Sequence, residues 1–364
     1  MTARIPFVSL APGEDAADVR RAIDRVVASG WFVLGPEVEA FEREFAAACG
    51  GAHAVGVGSG TDAIALALRA LGVGPGDEVI TSPLSAAFSA LAVVAAGAAP
   101  VFADVDAARL TIDPAAIEDA IGPRTRAILP VHLYGQPADM PAIARIAARH
   151  HLAIVEDCCQ AHLATCAGRP VGTFGEAAAY SFYPTKNLGA LGDGGAVVTN
   201  DAALAAKIAR LRNGGQIDRY CHQDAGVNSR LDELQAAVLR ARLPYLRGWT
   251  DRRRALAARY RAQLAESPLA VPAERDPGHV YHLFVVRTGM RSGLQAHLAA
   301  QGIDTLIHYP MPIPRQPAFG AAAHGWPETA RACDEVLSLP LYPALLDASV
   351  DRVAAAVKEI TCVR

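Results

Sequence analysis

The segment Ser181-Phe182-Tyr183-Pro184-Thr185-Lys186-Asn187-Leu188-Gly189 runs on to Gly192-Asp193-Gly194-Gly195 and follows an apolar stretch, residues 177–180, that reads as a buried strand. Lys186 then stands just past a strand's carboxyl end, where open α/β sheets bind their ligands. Among aromatics and glycines a lysine loses hydration and its pKa falls. Its neutral amine becomes a nucleophile able to form a Schiff base with a carbonyl. A lone lysine on a glycine-rich turn is otherwise a surface residue, so the reading depends on what converges with it.

Val57-Gly58-Ser59-Gly60-Thr61-Asp62 joins a strand to a helix, where backbone N–H groups and the helix dipole suit a phosphate. As a dinucleotide fingerprint it fails. Counted from Gly56, Thr61 takes the third glycine's place, and the acidic residue about twenty further on, Asp77, opens a strand instead of ending one. A purely structural glycine turn is the other reading.

Glu156-Asp157-Cys158-Cys159-Gln160-Ala161-His162 follows a strand at residues 152–155. Opposite a heteroaromatic nitrogen, the Asp157 carboxylate would favour the protonated ring; taken alone, Asp157 reads equally well as a helix N-cap. A metal site from Asp157, Cys159 and His162 has no second cluster to complete it. A phosphate cradle at residues 58–61, a pyridinium partner at Asp157 and an imine lysine at Lys186, each on a different strand end, together point to pyridoxal 5′-phosphate.

These positions need a sheet beneath them. Helical spacing appears at residues 15–29, stopped by Gly30, and again around Val38, Phe41 and Phe45, stopped by Gly50-Gly51. Preceding the first strand, this pair is expected to pack outside the main sheet. Strand signals at 54–57, 78–80, 100–103, 127–132, 152–155 and 177–183 then alternate with helical ones at 62–71, 88–96 and 140–149, and 195–198 adds a hairpin strand. The expectation is a three-layer α/β/α domain with a mostly parallel sheet. Helices at 231–243 and 249–264, a strand at 281–286, a helix at 292–301, a loop with five prolines from Pro310 to Pro327, and a closing helix at 350–357 predict a smaller C-terminal α+β domain. The division predicted is 1–245 and 246–364.

The 364 residues are 52% hydrophobic and 20% charged, which excludes disorder. Net charge is −3, and Arg252-Arg253-Arg254 reads as a solvated helix face, so no nucleic-acid surface is expected. The apolar stretch 86–99, bounded by Pro83 and Pro100, is too short to cross a membrane, and Met1-Thr2-Ala3-Arg4-Ile5-Pro6 lacks a signal-peptide pattern. Seven cysteines without a C-x-x-C pair read as reduced thiols, and a cytoplasmic protein is expected.

Nearly end to end, the chain resembles the DegT family of pyridoxal-phosphate-dependent sugar aminotransferases, of the aspartate aminotransferase-like fold. The resemblance is carried by the residue 57–62 motif, Pro130-Val131-His132-Leu133-Tyr134-Gly135-Gln136, Glu156-Asp157, Gln160-Ala161-His162, residues 181–189, Gly226-Val227-Asn228-Ser229-Arg230-Leu231-Asp232, His308-Tyr309-Pro310 and Leu339-Pro340-Leu341-Tyr342-Pro343. It implies that Lys186 anchors the cofactor covalently and shuttles a proton, that Asp157 pairs with the pyridine nitrogen, and that Gln160 lies on the phenolic-oxygen side. Gly60, Thr61 and Ser181 would hold the phosphate. Asn228 would reach that phosphate from a second subunit, making a homodimer with shared sites; on position alone Asn228 also reads as a cap for the helix near Leu231. His308 and Tyr309 would lie on the substrate side.

The implied reaction takes an amino group from glutamate or glutamine to a keto group of a nucleotide-linked sugar. Related dehydratases using the pyridoxamine form resemble this chain with histidine in place of the lysine, and a non-catalytic regulatory homologue would lack Lys186 or Asp157; both residues are present. Three positions depart from the family. Ala86 replaces an aromatic expected over the cofactor ring, leaving Phe88 or a group from elsewhere to cover it. Leu163 replaces a glycine and Pro314 a histidine, both expected along the substrate path.

Overall fold

The computed structural model describes residues 4–320 and 325–362. The first three residues of the N-terminal segment, residues 321–324 of the proline-rich loop and residues 363–364 lie outside it. In chain order, α1 (Ala16–Ser29) and α2 (Pro36–Cys49) precede β1 (His53–Val57), α3 (Gly60–Ala70), β2 (Glu78–Thr81), α4 (Phe88–Ala95), β3 (Ala99–Phe102), α5 (Pro114–Ala120), β4 (Thr125–Leu129), α6 (Met140–His150) and β5 (Ala153–Asp157). A tight hairpin, β6 (Thr165–Cys166) and β7 (Arg169–Pro170), leads to β8 (Ala177–Ser181), β9 (Gly195–Thr199) and α7 (Ala202–Leu211). A second hairpin, β10 (Gln216–Asp218) and β11 (Cys221–His222), precedes α8 (Glu233–Arg242) and α9 (Leu246–Leu264). The chain closes with β12 (Phe284–Arg287), α10 (Arg291–Ala300), α11 (Pro327–Glu335), β13 (Val336–Leu339) and α12 (Asp347–Cys362).

Seven strands form the main sheet in the order β1-β9-β8-β5-β4-β2-β3. β9 alone runs against the direction of the other six. Successive strand residues feed opposite faces, as the period of two requires. Ala127, Leu129, Val155 and Ala179 join a cluster under α3, α4 and α7. Ile128, Ile154, Ala178 and Tyr180 join one that includes residues of α2, α6 and α8. Two covered faces make the three-layer domain. A separate antiparallel pair, β12 with β13, packs with α9, α10 and α12 around Tyr260, Phe284, Leu337 and Val353, and Ile5 joins this cluster.

Some elements differ from the sequence reading. Of the two N-terminal helices, α1 lies on α8, but α2 enters the core: Phe41 and Phe45 are buried, and Phe45 meets the rings of Tyr180 and Phe182 edge-on at 5.1 Å each. Burying each phenylalanine stabilises by about 1.5–3 kcal/mol, which a helix outside the sheet would forgo. α5 and α7 are not among the helices that the sequence predicts. Both carry an aspartate cap, Asp113 accepting from Ala115 N–H and Asp201 from the Ala203 and Leu204 N–H groups. β4 stops at Leu129 because Pro130 has no N–H to donate. Pairing with β5 resumes in a single bridge, Val131 to Asp157.

The arginine triplet is not a uniform solvated face. Arg253 is buried, and its Nη1 donates to the carbonyls of Leu341 (3.0 Å), Tyr281 and His282 (3.3 Å each), tying α9 to segments flanking β12 and β13. Leu163 holds φ +62°, the left-handed region that favours glycine, and packs on the main-sheet core.

His162 sits inside the α2–sheet core, with ring centroids 5.5 Å from Tyr180, 5.8 Å from Phe182 and 6.4 Å from Phe45, and neither ring nitrogen has a hydrogen-bond partner among the described residues. Burial, reinforced by the Lys186 charge, holds its pKa at about 3. The unfolded chain takes up that proton near pH 6.5, so the stability tied to a neutral His162 is complete above that pH and is lost as pH falls toward 3. His162→Phe should keep the packing and remove this loss. Between pH 7 and 5, urea titrations should show the wild type losing about 2 kcal/mol more than the variant; equal losses would show that His162 is not the sensitive group.

Candidate active site

Three strand ends meet because residue 60 has no side chain. α3 begins at Gly60, capped by Ser59, whose Oγ accepts from the Asp62 N–H at 3.1 Å. A β-carbon on Gly60 would fall 2.7 Å from both Ser181 Cβ and Cys159 Sγ. Glycine therefore lets the first turn of α3 lie against the ends of β8 and β5. Gly195 is pinned likewise, since its β-carbon would fall 2.3 Å from the Ser59 carbonyl oxygen. As first-turn residues, Gly60 and Thr61 present N–H groups that the helix cannot satisfy, beside the Ser181 hydroxyl.

Asp157 ends β5 and is buried. Its Oδ1 accepts from the Cys159 N–H at 3.1 Å and its Oδ2 from the Ser89 hydroxyl at 2.7 Å. Among the described residues no cation pairs with it. Lys186 lies in the β8–β9 connection, a loop closed by the Lys186 N–H on the Tyr183 carbonyl (2.8 Å) and the Ala190 N–H on the Phe182 carbonyl (2.7 Å). The side chain is half-buried overall, and its amine has no hydrogen bond or ion pair with any described residue. Burial lowers the amine's pKa from its usual 10.5; Cys159 and Asp157 pull the other way. Since burial holds Cys159 as a thiol, Asp157 is the opposing charge that counts.

Gln160 is fixed at both ends of its amide: Oε1 accepts from the Tyr134 N–H at 2.7 Å, and Nε2 donates to the Tyr309 hydroxyl at 3.2 Å. Burial pushes the Tyr309 phenol up to about 12 and the His308 imidazole down to about 4, so both are uncharged at neutral pH. His308 Nδ1 pairs with Ser338 Oγ at 2.9 Å, and its carbonyl accepts from the Tyr134 hydroxyl. The structure thus links Gln160 to Tyr309 and, through Tyr134, to His308.

Asn228 stands apart. Ser229 beside it accepts from the Gly58 N–H (3.0 Å) and donates to Asp62 (2.8 Å), hooking the loop onto the cradle of its own chain. The Asn228 side chain is exposed and makes no hydrogen bond among the described residues, and α8 has Asp232 at its N-cap position. Phe88 is exposed on α4, whereas Leu163 and Pro314 are packed inward and line no part of the large cavity described next.

A cavity of about 780 Å³ adjoins the lysine loop, bounded by residues 8–11 and 13–15, Lys186, Trp249, Arg253 and Tyr342 among others. His132, Glu156 and Cys158 lie close enough together to suggest a metal. The polar atoms of His132 and Glu156 are otherwise engaged: His132 accepts from the Ala138 N–H (3.1 Å) and faces Glu156 (3.2 Å), and Glu156 accepts from the N–H groups of Gly172, Phe174 and Gly175. Sequence reasoning missed Ser89 and Ser229, whose only signal was a hydroxyl near the start of a helix.

A buried carboxylate without a counter-charge, a free amine and a glycine-made cradle of unused N–H groups fit a phosphorylated pyridine aldehyde. The model of the DegT/DnrJ/EryC1/StrS aminotransferase family matches residues 14–358. The chain is 52% identical, over 98% of its length and 96% of the other's, to the dTDP-3-amino-3,4,6-trideoxy-α-D-glucose transaminase of Streptomyces venezuelae. It is 50% identical, over 97% and 99%, to the erythromycin biosynthesis sensory transduction protein EryC1 of Saccharopolyspora erythraea. The crystal structure of S. venezuelae DesV in complex with a ketimine intermediate superposes with a TM-score of 0.97 at 51% identity, covering all of both chains.

The lowered Lys186 pKa predicts how the cofactor-free protein reacts. Aldehyde capture at Lys186 should rise with pH and level off below 10.5, where a lysine in a short peptide is still gaining. Quenched-flow labelling with peptide mapping would measure it. A profile that tracks the peptide would remove the desolvated-amine reading.

Proposed function

The chain belongs to the DegT/DnrJ/EryC1/StrS aminotransferase family, and from that membership we propose how its residues serve a pyridoxal-phosphate-dependent transaminase that aminates a keto group of a nucleotide-linked sugar. When bound, pyridoxal phosphate supplies the electron sink and carries the amino group between the two substrates. Lys186 is its covalent anchor and, once released, holds or moves the proton at the reacting carbon. That role is supported chiefly by the free, desolvated amine within the electrostatic reach of Asp157.

Asp157 faces the ring nitrogen, where a buried anion favours the protonated ring. Gly60, Thr61 and Ser181 hold the phosphate at the start of α3. Gln160, immobilised by Tyr134 and Tyr309, meets the phenolic-oxygen side of the ring, and His308 and Tyr309 present uncharged polar groups to the sugar. The exposed Asn228 amide reaches the phosphate site of a second copy, so the working unit is a homodimer. Exposed Trp31, Phe32, Phe88 and Tyr220 are the kind of apolar surface a second copy would cover.

The substrate proposed is a dTDP-linked sugar with its keto group at carbon 3, on the strength of the S. venezuelae relative's name. Glutamate or glutamine is the proposed donor. A reducing, cytoplasmic setting accords with the free thiols of Cys49, Cys158, Cys159, Cys166, Cys221 and Cys333. A boundary at residues 245/246 accords with the separate core of the C-terminal segment. EryC1's name favours a second, regulatory reading. A regulator has no need of a free lysine amine beside an unpaired buried aspartate.

A panel of dTDP- and UDP-linked 3-keto and 4-keto sugars, offered with glutamate or glutamine, tests the assignment. Amination of the dTDP-linked 3-keto sugar is expected, and Lys186→Ala should lose more than about 10³-fold in turnover while still holding the cofactor non-covalently. Borohydride treatment of the wild type should fix the cofactor to the Lys186 peptide. Full turnover in Lys186→Ala would overturn the role of Lys186, and a colourless protein that takes up no pyridoxal phosphate would leave the regulatory reading.

A further inference from the structure

Ser89 and Ser85 lie on the segment where the chain departs from its family, Ser85-Ala86-Ala87-Phe88-Ser89. Both hydroxyls are buried. Ser89 Oγ is 2.7 Å from Asp157 Oδ2 and 3.2 Å from Ser85 Oγ. A carboxylate only accepts, so the Ser89 proton goes to Asp157, and Ser85 then donates to Ser89. The chain of donors runs Ser85 to Ser89 to Asp157. Its direction is fixed by the one member that cannot donate.

We propose that Ser89 is a positioning residue for the cofactor: with Ser85 behind it, it fixes the Asp157 carboxylate at the angle from which its remaining lone pairs meet the ring nitrogen. Among the described residues Asp157 has no cation to hold it and two donors, the Cys159 N–H on Oδ1 and the Ser89 hydroxyl on Oδ2. The Cys159 N–H belongs to the turn that Asp157 itself begins and fixes one oxygen only. Rotation about the Cβ–Cγ bond is therefore stopped by Ser89, which comes from α4. Ser85 donating to Ser89 polarises the hydroxyl and strengthens that hold. Acting through Asp157, Ser89 touches neither cofactor nor substrate. The inference rests on the placement of Asp157 at the ring nitrogen.

The test compares the affinity of cofactor-free protein for pyridoxal phosphate and for its 1-deaza analogue, in which C–H replaces the ring nitrogen. Wild type should bind the natural cofactor more tightly. Ser89→Ala should weaken natural-cofactor binding roughly tenfold and leave the analogue unchanged, because the hydrogen bond lost is one to a charged group. Ser89→Thr, which keeps the hydroxyl, should restore the preference. Should Ser89→Ala not fold, Ser85→Ala carries the same test with a loss of about threefold. Equal losses for both ligands, or an undiminished preference in Ser89→Ala, would overturn the role of Ser89 and leave Asp157 in place. A wild type indifferent to the ring nitrogen would overturn the placement of Asp157, and this inference with it.

Discussion

The site depends on a missing atom. A β-carbon at residue 60 would collide with Ser181 and Cys159, and relieving the collision would move the first turn of α3 away from the ends of β5 and β8. The cradle, the carboxylate and the lysine loop hang on those three elements, so close approach at one glycine sets the distances among groups spread over more than a hundred residues of chain. Gly195 against the Ser59 carbonyl makes the same demand from β9. Interiors packed to crystal-like density do not absorb an added methyl without shifting something.

That dependence explains which parts were legible in sequence. Strand ends are marked by apolar runs that break into Gly, Asp or Ser, so the sequence alone puts Gly60, Asp157 and Lys186 at the carboxyl edge of one sheet. Strand signals alternating with helical ones likewise imply a sheet covered on both faces, which residues 127–129 bear out by feeding the two faces in turn. Partner choice across the layers was not legible. Nothing local to Phe41 and Phe45 distinguishes packing under β8 from packing elsewhere, because an amphipathic face records that it is buried and not by what. Arg253 shows the same limit. Its neighbours Arg252 and Arg254 are half-exposed, and only the carbonyls of Tyr281, His282 and Leu341, brought together by the fold, make a buried guanidinium tenable.

The departures from the family pattern also needed the backbone. At Leu163 the sequence showed only a glycine replaced. The structure shows a left-handed φ of +62° there, with the side chain packing on the core, so leucine occupies a backbone position that favours glycine. Ala86 removes an aromatic from a segment whose remaining contribution is the pair of hydroxyls one residue before it and three after it.

The electrostatics of the pocket turn on Asp157 being satisfied without being neutralised. An arginine in place of Ser89 would also fill its lone pairs, but its charge would offset the field that a bound ring nitrogen is to feel. A hydroxyl and a backbone N–H orient the carboxylate and leave its charge in place. The groups around Lys186 follow the same logic from the other side. His162 and His308 are held uncharged by burial, to about 3 and 4, and His282 is pushed down as well. The lysine is thus surrounded by imidazoles that add no positive charge of their own at neutral pH. On the proposed placement the negative charge of Asp157 is left for the cofactor, and burial rather than cationic repulsion lowers the pKa of the Lys186 amine.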